Sequence, residues 1–271
     1  MQLTVPRTIT PSISALVERL ETERPQVVTT HGLAKALSLP VQHFKVRRTA
    51  YELQQRGWLG HLRTRHAWEF LPAARGAALA SGDRFIEFRA RLAVDPAWPG
   101  VLAMESAASL LGLAQRLPAQ EVVALPEGQP LPKSLARDFR SVNLELGQAG
   151  RTEVGGLPTW NLSGLIVGVA TRPAMYRDAV GLAQWLPEVG RRVDARQILN
   201  LLSNSNMATR QRAAYLLHLA NDEAGAELIL AAYPPKETVW FGAREVGGNF
   251  HPASKVNDTM LAKFLSAGVG A

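Results

Sequence analysis

The chain of 271 residues reads as an α+β protein in two parts, and three observations carry that reading. Residues 29–71, TTHGLAKALSLPVQHFKVRRTAYELQQRGWLGHLRTRHAWEFL, have the order of two short helices separated by a sharp turn and followed by a two-stranded ribbon. Positive charge is concentrated there: residues 1–76 hold 11 Lys and Arg against 5 Glu and no Asp, a net of +6 out of the formal +7. After Leu71-Pro72 the text AARGAALASGD is small and flexible, and helix and strand patterns then alternate. These predict an N-terminal winged helix-turn-helix over 1–76 and a linker near 73–82. A C-terminal domain follows over 83–271, α/β in 83–160 and mainly helical in 161–271.

Thr10-Pro11 is a cap followed by proline at the first helical position, and Ile13, Leu16, Val17 and Leu20 share one side, so a helix is expected over Pro11–Glu23. Arg24-Pro25 ends it. Gln26-Val27-Val28 is expected as a short strand paired with the ribbon. Either Thr29 or Thr30 can cap the next helix, about His31 to Leu37, whose apolar side holds Ala34 and Leu37. Ser38-Leu39-Pro40 breaks it, and a second helix is expected from about Pro40 to Arg56. On that helix Val46, Ala50 and Leu53 recur at four- and three-residue spacing, with Gly57 as a left-handed stop. Its other side carries Gln42, Lys45, Arg48, Thr49 and Glu52, flanked by His43 and Arg47. Residues 58–62 and 67–71 then form the ribbon across Arg63-Thr64-Arg65-His66.

In the second part, helices are expected over residues 84–93 and 105–113, the latter stopped at Gly112. The β-branched run 121–126 reads as a strand, 131–137 as a brief helix, and 141–146 as a second strand because Val142, Leu144 and Leu146 alternate. Gly155-Gly156-Leu157-Pro158 is a tight turn before an element starting at Thr159. Asn161 or Ser163 can cap a helix through Ala170. Further helices are expected over 175–185, 194–202, 207–220 and 223–233, with Asp194, Ser205 or Asn206, and Asn221-Asp222 as start signals. Residues 239–242 read as a short strand, 247–258 as turns, and 259–265 as a last helix.

With no cysteine, the chain has no disulfide, thiolate nucleophile or Cys-based zinc site. The N-terminus lacks a secretory signal, and apolar runs such as 162–170 fall well short of the roughly 20 residues of a membrane span, so a soluble cytoplasmic protein without membrane contact is expected. The histidines at 31, 43, 61, 66, 218 and 251 show no metal-ligand spacing, and neither a glycine-rich phosphate loop nor a nucleophile elbow occurs. No enzyme, metal or cofactor is therefore expected. Each cation that meets a phosphate releases condensed counterions, so the charge asymmetry suits double-stranded DNA. The same basic helix face is compatible with plain solvation or with protein docking. Arg191, Arg192 and Arg196, with Arg210 and Arg212, are either solvated helix faces or a second surface for a partner or nucleic acid.

The helix-turn-helix text with its ribbon and the C-terminal stretch VWFGAREVGGNFHPASKVNDTML together resemble the AbiEi antitoxins of type IV toxin-antitoxin systems. That resemblance implies an N-terminal domain that binds inverted repeats upstream of its own operon and represses it. It also implies a C-terminal domain opposing a nucleotidyltransferase-like toxin, a functional partner with or without a direct complex. The residues expected at DNA are Gln42, Lys45, Arg47, Arg48 and Thr49 in the groove, Arg63 and Arg65 on the backbone or minor groove, and also Thr30 and His43. A ligand-sensing winged-helix regulator is the alternative.

Overall fold

A computed structural model describes residues 11–75, 81–245 and 247–265. By contacts the chain divides into two compact units, Met1–Trp98 with Pro132–Arg137, and Pro99–Leu131 with Asp138–Ala271.

In the first unit, α1 (Pro11–Glu23) buries Ile13, Leu16, Val17 and Leu20, the residues its spacing placed on one side. Its expected cap, Thr10, lies outside the described residues. Arg24 adopts φ 45° and turns the chain out of the helix into β1 (Val27–Thr29). Thr29 is the cap of α2 (Thr30–Ala36): its side chain accepts from the Gly32 N–H at 3.0 Å. The next helix does not start at Pro40. α3 spans Phe44–Gln55: Val41 also packs on the core, whereas a helix continued back from Val46 would turn position 41 about 140° away from that side. The Pro40 carbonyl accepts the His43 N–H at 2.9 Å in a single turn, and His43 Nδ1 then caps α3 by accepting from the Lys45 N–H at 3.2 Å. Val46, Ala50 and Leu53 face the core and Gly57, at φ 72°, ends the helix as the spacing required.

β2 (Leu59–His61) and β3 (Ala67–Phe70) follow, and the sheet order is β1-β3-β2, antiparallel throughout. Of the expected linker, residues 76–80 lie outside the described residues and Ala73–Arg75 form a 3-10 turn. α4 (Ile86–Val94) was expected to open the C-terminal domain, yet its contacts are with this unit: Ala90 packs with Leu62 and Ala67, with Val27, Ile86 and Val94 at the edge of the cluster. α4 also supplies Glu87, buried, whose carboxylate clamps the β2–β3 turn. Oε1 accepts the Arg63 N–H at 2.6 Å, and Oε2 accepts the Thr64 N–H at 3.1 Å and the Thr64 hydroxyl at 2.9 Å. The Thr64 hydroxyl also lies 3.1 Å from that of Ser134.

The second unit holds a five-stranded sheet with order β6-β5-β4-β8-β7. Its elements in chain order are β4 (Val101–Leu102), α5 (Met104–Leu110), β5 (Glu121–Leu125), β6 (Phe139–Asn143), β7 (Arg151–Val154) and β8 (Leu157–Trp160). β5 and β6 are parallel, as are β4 and β8, while β7 and β8 form a hairpin over Gly155-Gly156. The helix expected over 131–137, whose residues 132–137 belong to the first unit, is instead a series of turns: Pro132 accepts the Leu135 N–H at 2.9 Å and no helix propagates.

Helices α6 (Leu162–Thr171), α7 (Ala179–Trp185), α8 (Ala195–Leu201), α9 (Met207–Leu219) and α10 (Glu223–Ala232) start at side-chain caps Asn161, Asp178, Asp194, Asn206 and Asp222. A Cβ on Gly168 would lie 2.2 Å from the Trp160 ring, so the glycine lets α6 sit directly on the indole. The strand expected over 239–242 is β9 (Val239–Phe241), and residues read as turns add β10 (Asn249–His251) and β11 (Val256–Asp258) to it in a second sheet of order β10-β11-β9. α11 (Ala262–Leu265) closes the described chain.

Removing the Glu87 clamp leaves two N–H groups without their acceptor in a buried setting. Glu87→Ala is expected to cost about 1–3 kcal/mol in chemical denaturation of the full chain, and Glu87→Gln less, since an amide oxygen still accepts.

Candidate nucleic-acid interface

α3 presents the chemistry the sequence placed on it, with two changes. Lys45, Arg47 and Arg48 are exposed, and Thr49 is half-buried. Arg48 Nε donates to Glu52 Oε1 at 3.0 Å across one turn, a solvent-facing pair that an incoming phosphate or base can displace. Gln42 is exposed but precedes the helix, and His43 is the half-buried cap whose ring stacks on Phe44 with centroids 4.9 Å apart. The second change is what sequence reasoning missed: Phe44 and Tyr51 are 64% and 61% exposed. Residues 44, 47, 48 and 51 recur at three- and four-residue spacing, so two aromatic rings and two guanidiniums share one outward face. Counting only the polar residues of that side passed over them, although the buried phase Val46, Ala50, Leu53 places Phe44 and Tyr51 opposite the core.

Beside this face lies an open concavity of about 600 Å³, lined by Thr29, Thr30 and His31 of the α2 start, Gln42, Arg47, Tyr51 and Gln54 along α3, and His66 and Trp68 of the ribbon, with Ala93 and Val94 of α4. Thr30 is at its wall but buried, and its N–H donates to the His66 carbonyl at 2.9 Å, so its role is to tie α2 to the ribbon turn. Arg63 is half-buried, with its N–H and Nε both directed to Glu87, the latter at 3.4 Å. Arg65 and His66 stand exposed at the turn. The ribbon therefore offers one outward arginine, not two.

The C-terminal arginines divide in the same way. Arg191, Arg192 and Arg196 are exposed. Arg210 donates to the Leu202 and Ser203 carbonyls at 3.1 and 2.6 Å and stacks over Tyr233, 3.8 Å from its centroid. Arg212 donates to the Trp240 carbonyl at 2.6 Å, and burial pulls its pKa below the ordinary arginine value. These two join segments of the fold. His218 pairs with Glu223 at 2.6 Å and stacks on His251 at 4.3 Å. Desolvation first, then the neighbouring His218 charge, lowers the His251 pKa. Among the described residues no group of three or more His, Asp or Glu is arranged to hold a metal ion, and no helix is long and apolar enough to cross a membrane.

Residues 100–219 match the family model described as the AbiEi antitoxin C-terminal domain. Residues 100–219 are thus similar to a domain of the family that the resemblance named. Among solved structures it is similar to the crystal structure of the RV2827C protein from Mycobacterium tuberculosis, at 25% identity and a TM-score of 0.78, over 98% of this chain and 97% of that one. No curated protein sequence matches it.

Arg212→Ala is expected to lower stability by about 1–3 kcal/mol through the carbonyls it deserts. Its DNA affinity should match wild type in an anisotropy titration. A DNA-binding loss without a stability loss would instead make Arg212 part of an interface.

Proposed function

We propose that this chain is the antitoxin of a type IV toxin-antitoxin pair and represses its own operon. On this reading the first unit is a winged helix-turn-helix that lays α3 in the major groove of double-stranded DNA, at inverted repeats upstream of the operon. The AbiEi domain opposes a nucleotidyltransferase-like toxin encoded alongside. The protein acts in the cytoplasm as a regulator without catalysis of its own, and its toxin is a functional partner whether or not the two form a complex.

The observation that carries the DNA half is the outward face of α3, where Lys45, Arg47 and Arg48 alternate with Phe44 and Tyr51 on the unit that holds nearly all the net charge. A helix fits the major groove, guanidinium pairs with guanine O6 and N7, and an apolar ring contacts the thymine methyl. Arg65 is suited to phosphate or a minor-groove edge. The ligand-sensing alternative is favoured by the concavity beside α3, since an effector seated there would cover Arg47 and Tyr51 and compete with DNA.

The test is fluorescence anisotropy of the full chain on DNA from its own upstream region and on scrambled DNA, across a salt series. Discrimination between the two is expected, and equal affinity for both would defeat the operator reading. Lys45→Ala should weaken binding to both DNAs alike and reduce the salt slope by about 1, whereas Arg47→Ala should cost about 1–3 kcal/mol on the operator and relax discrimination. Glu52→Gln removes the carboxylate that holds Arg48 and a negative charge from the face. It should therefore bind DNA more tightly, and weaker binding would place Glu52 among the contacts. Growth on co-expression with the adjacent toxin reads the antitoxin half independently.

A further inference from the structure

The AbiEi domain contains a second cationic site, remote in sequence from α3. A cavity of about 270 Å³ is lined by Glu105 of α5, residues 116–120 of the following loop, Arg140 of β6, and Arg177 and Asp178 ahead of α7. Arg140 is the unusual member. Its side chain is 10% exposed; Nη2 donates at 2.7 Å both to Glu105 Oε2 and to the Met175 carbonyl, and Nη1 is buried with no hydrogen-bond partner. A buried guanidinium nitrogen without an acceptor carries the full cost of its desolvation.

The local carboxylates are already engaged. Glu105 Oε1 accepts the Arg177 N–H and its Oε2 accepts Arg140. Asp178 Oδ1 caps α7 by accepting the Gly181 N–H at 2.9 Å. The guanidiniums of Arg116 and Arg177, both exposed, have no hydrogen-bond or ion-pair partner among the described residues. Burial is the main cause that lowers the Arg140 pKa; the Glu105 charge opposes it, and the Arg177 charge adds to it. Three arginines against two carboxylates, each already accepting a hydrogen bond, with Arg140 and Arg177 repelling each other, form a site that a bound anion would stabilise.

We propose that Arg116, Arg140 and Arg177 form a binding site for a phosphate-type oxyanion in the AbiEi domain. Arg140, held in place by Glu105 and the Met175 carbonyl, presents a fixed guanidinium, and the two exposed arginines close over the anion. The cavity is below the roughly 300–1,000 Å³ of sites that engulf a drug-sized ligand, so it suits a free phosphate or the terminal group of a phosphomonoester. This site is independent of the DNA reading of α3.

The test is isothermal titration of the full chain with inorganic phosphate and with methyl phosphate at constant ionic strength. It is repeated on Arg177→Gln and Arg116→Gln, both surface changes, and on Lys45→Ala as a control for anion binding at α3. Saturable one-to-one binding is expected, weakened at least roughly tenfold in Arg177→Gln and Arg116→Gln and unchanged in Lys45→Ala. Equal binding of methyl phosphate would mark the site as one for a phosphomonoester, and binding of inorganic phosphate alone as one for the free ion. Absence of saturable binding, or binding that survives both arginine changes, overturns the proposal. Because these readouts involve no DNA and no toxin, their failure leaves the operator and antitoxin tests untouched.

Discussion

The buried carboxylate of Glu87 holds the first unit's ribbon in place. The β2–β3 turn must reverse the chain within five residues, 62–66, and His66 at its end takes φ 66°, a left-handed backbone state that is uncommon for residues other than glycine. Glu87 fixes the other end of that turn by accepting two successive N–H groups and a hydroxyl. With the turn held at both ends, the His66 carbonyl is available to the Thr30 N–H, and through that bond the start of α2 is tied to the ribbon. The position of the ribbon beside the helix pair thus depends on a residue of α4. This explains why the first unit extends to Trp98 by contacts, past the composition change near residue 76. A fragment cut at that change would lose the clamp along with Ala90, Ile86 and Val94 from the underlying apolar cluster.

The chain's cations separate by what they already touch. Arg63, Arg210, Arg212 and Arg140 each donate to carbonyl or carboxylate groups inside the fold, whereas Lys45, Arg47, Arg65, Arg191, Arg192 and Arg196 stand exposed. Clusters of charge look alike in a sequence, yet only the second group is available to an external anion. Arg140 belongs to both categories, since one nitrogen is anchored and another is not.

The phase of α3 was legible because Val46, Ala50, Leu53 and Gly57 obey the helical repeat, and the end of the helix follows from them. Its start was not, because Pro40 is an acceptable first helical residue by local rules. What overrides those rules is the packing of Val41 on the same core as Val46, which a helix running through both would not allow. Caps at Asn161, Asp194, Asn206 and Asp222 were likewise local and legible. The sheet around β9 was not: β9 reads locally as a strand, but β10 and β11 are three residues each, and β9 pairs in parallel with a strand beginning fifteen residues beyond its end. No local periodicity can report such a pairing. The roles of Arg63, Arg210 and Arg212 were hidden for the same reason, since Glu87 and the carbonyls of Leu202 and Trp240 meet them only in the folded chain. The resemblance itself rested on residues 29–71 and the 239–261 stretch, whereas the family match covers 100–219, the part with the least obvious motifs.

The outward face of α3 also indicates what kind of DNA binding it would support. Cations alone attract any duplex through counterion release, and a face of Lys45, Arg47 and Arg48 would be sufficient for that. Exposing Phe44 and Tyr51 on the same face forgoes apolar burial that each ring could provide elsewhere, about 1.5–3 kcal/mol for a side chain of that size. Isolated exposed rings need no explanation, but two rings seven residues apart, interleaved with arginines, form one surface. In a groove such rings lie against thymine methyls and make the neighbouring guanidiniums sensitive to register, because an arginine can make its bidentate pair only where the rings also find their contacts. Phosphate contacts by Arg65 at the ribbon would then set orientation, and the mixed face of α3 would set sequence.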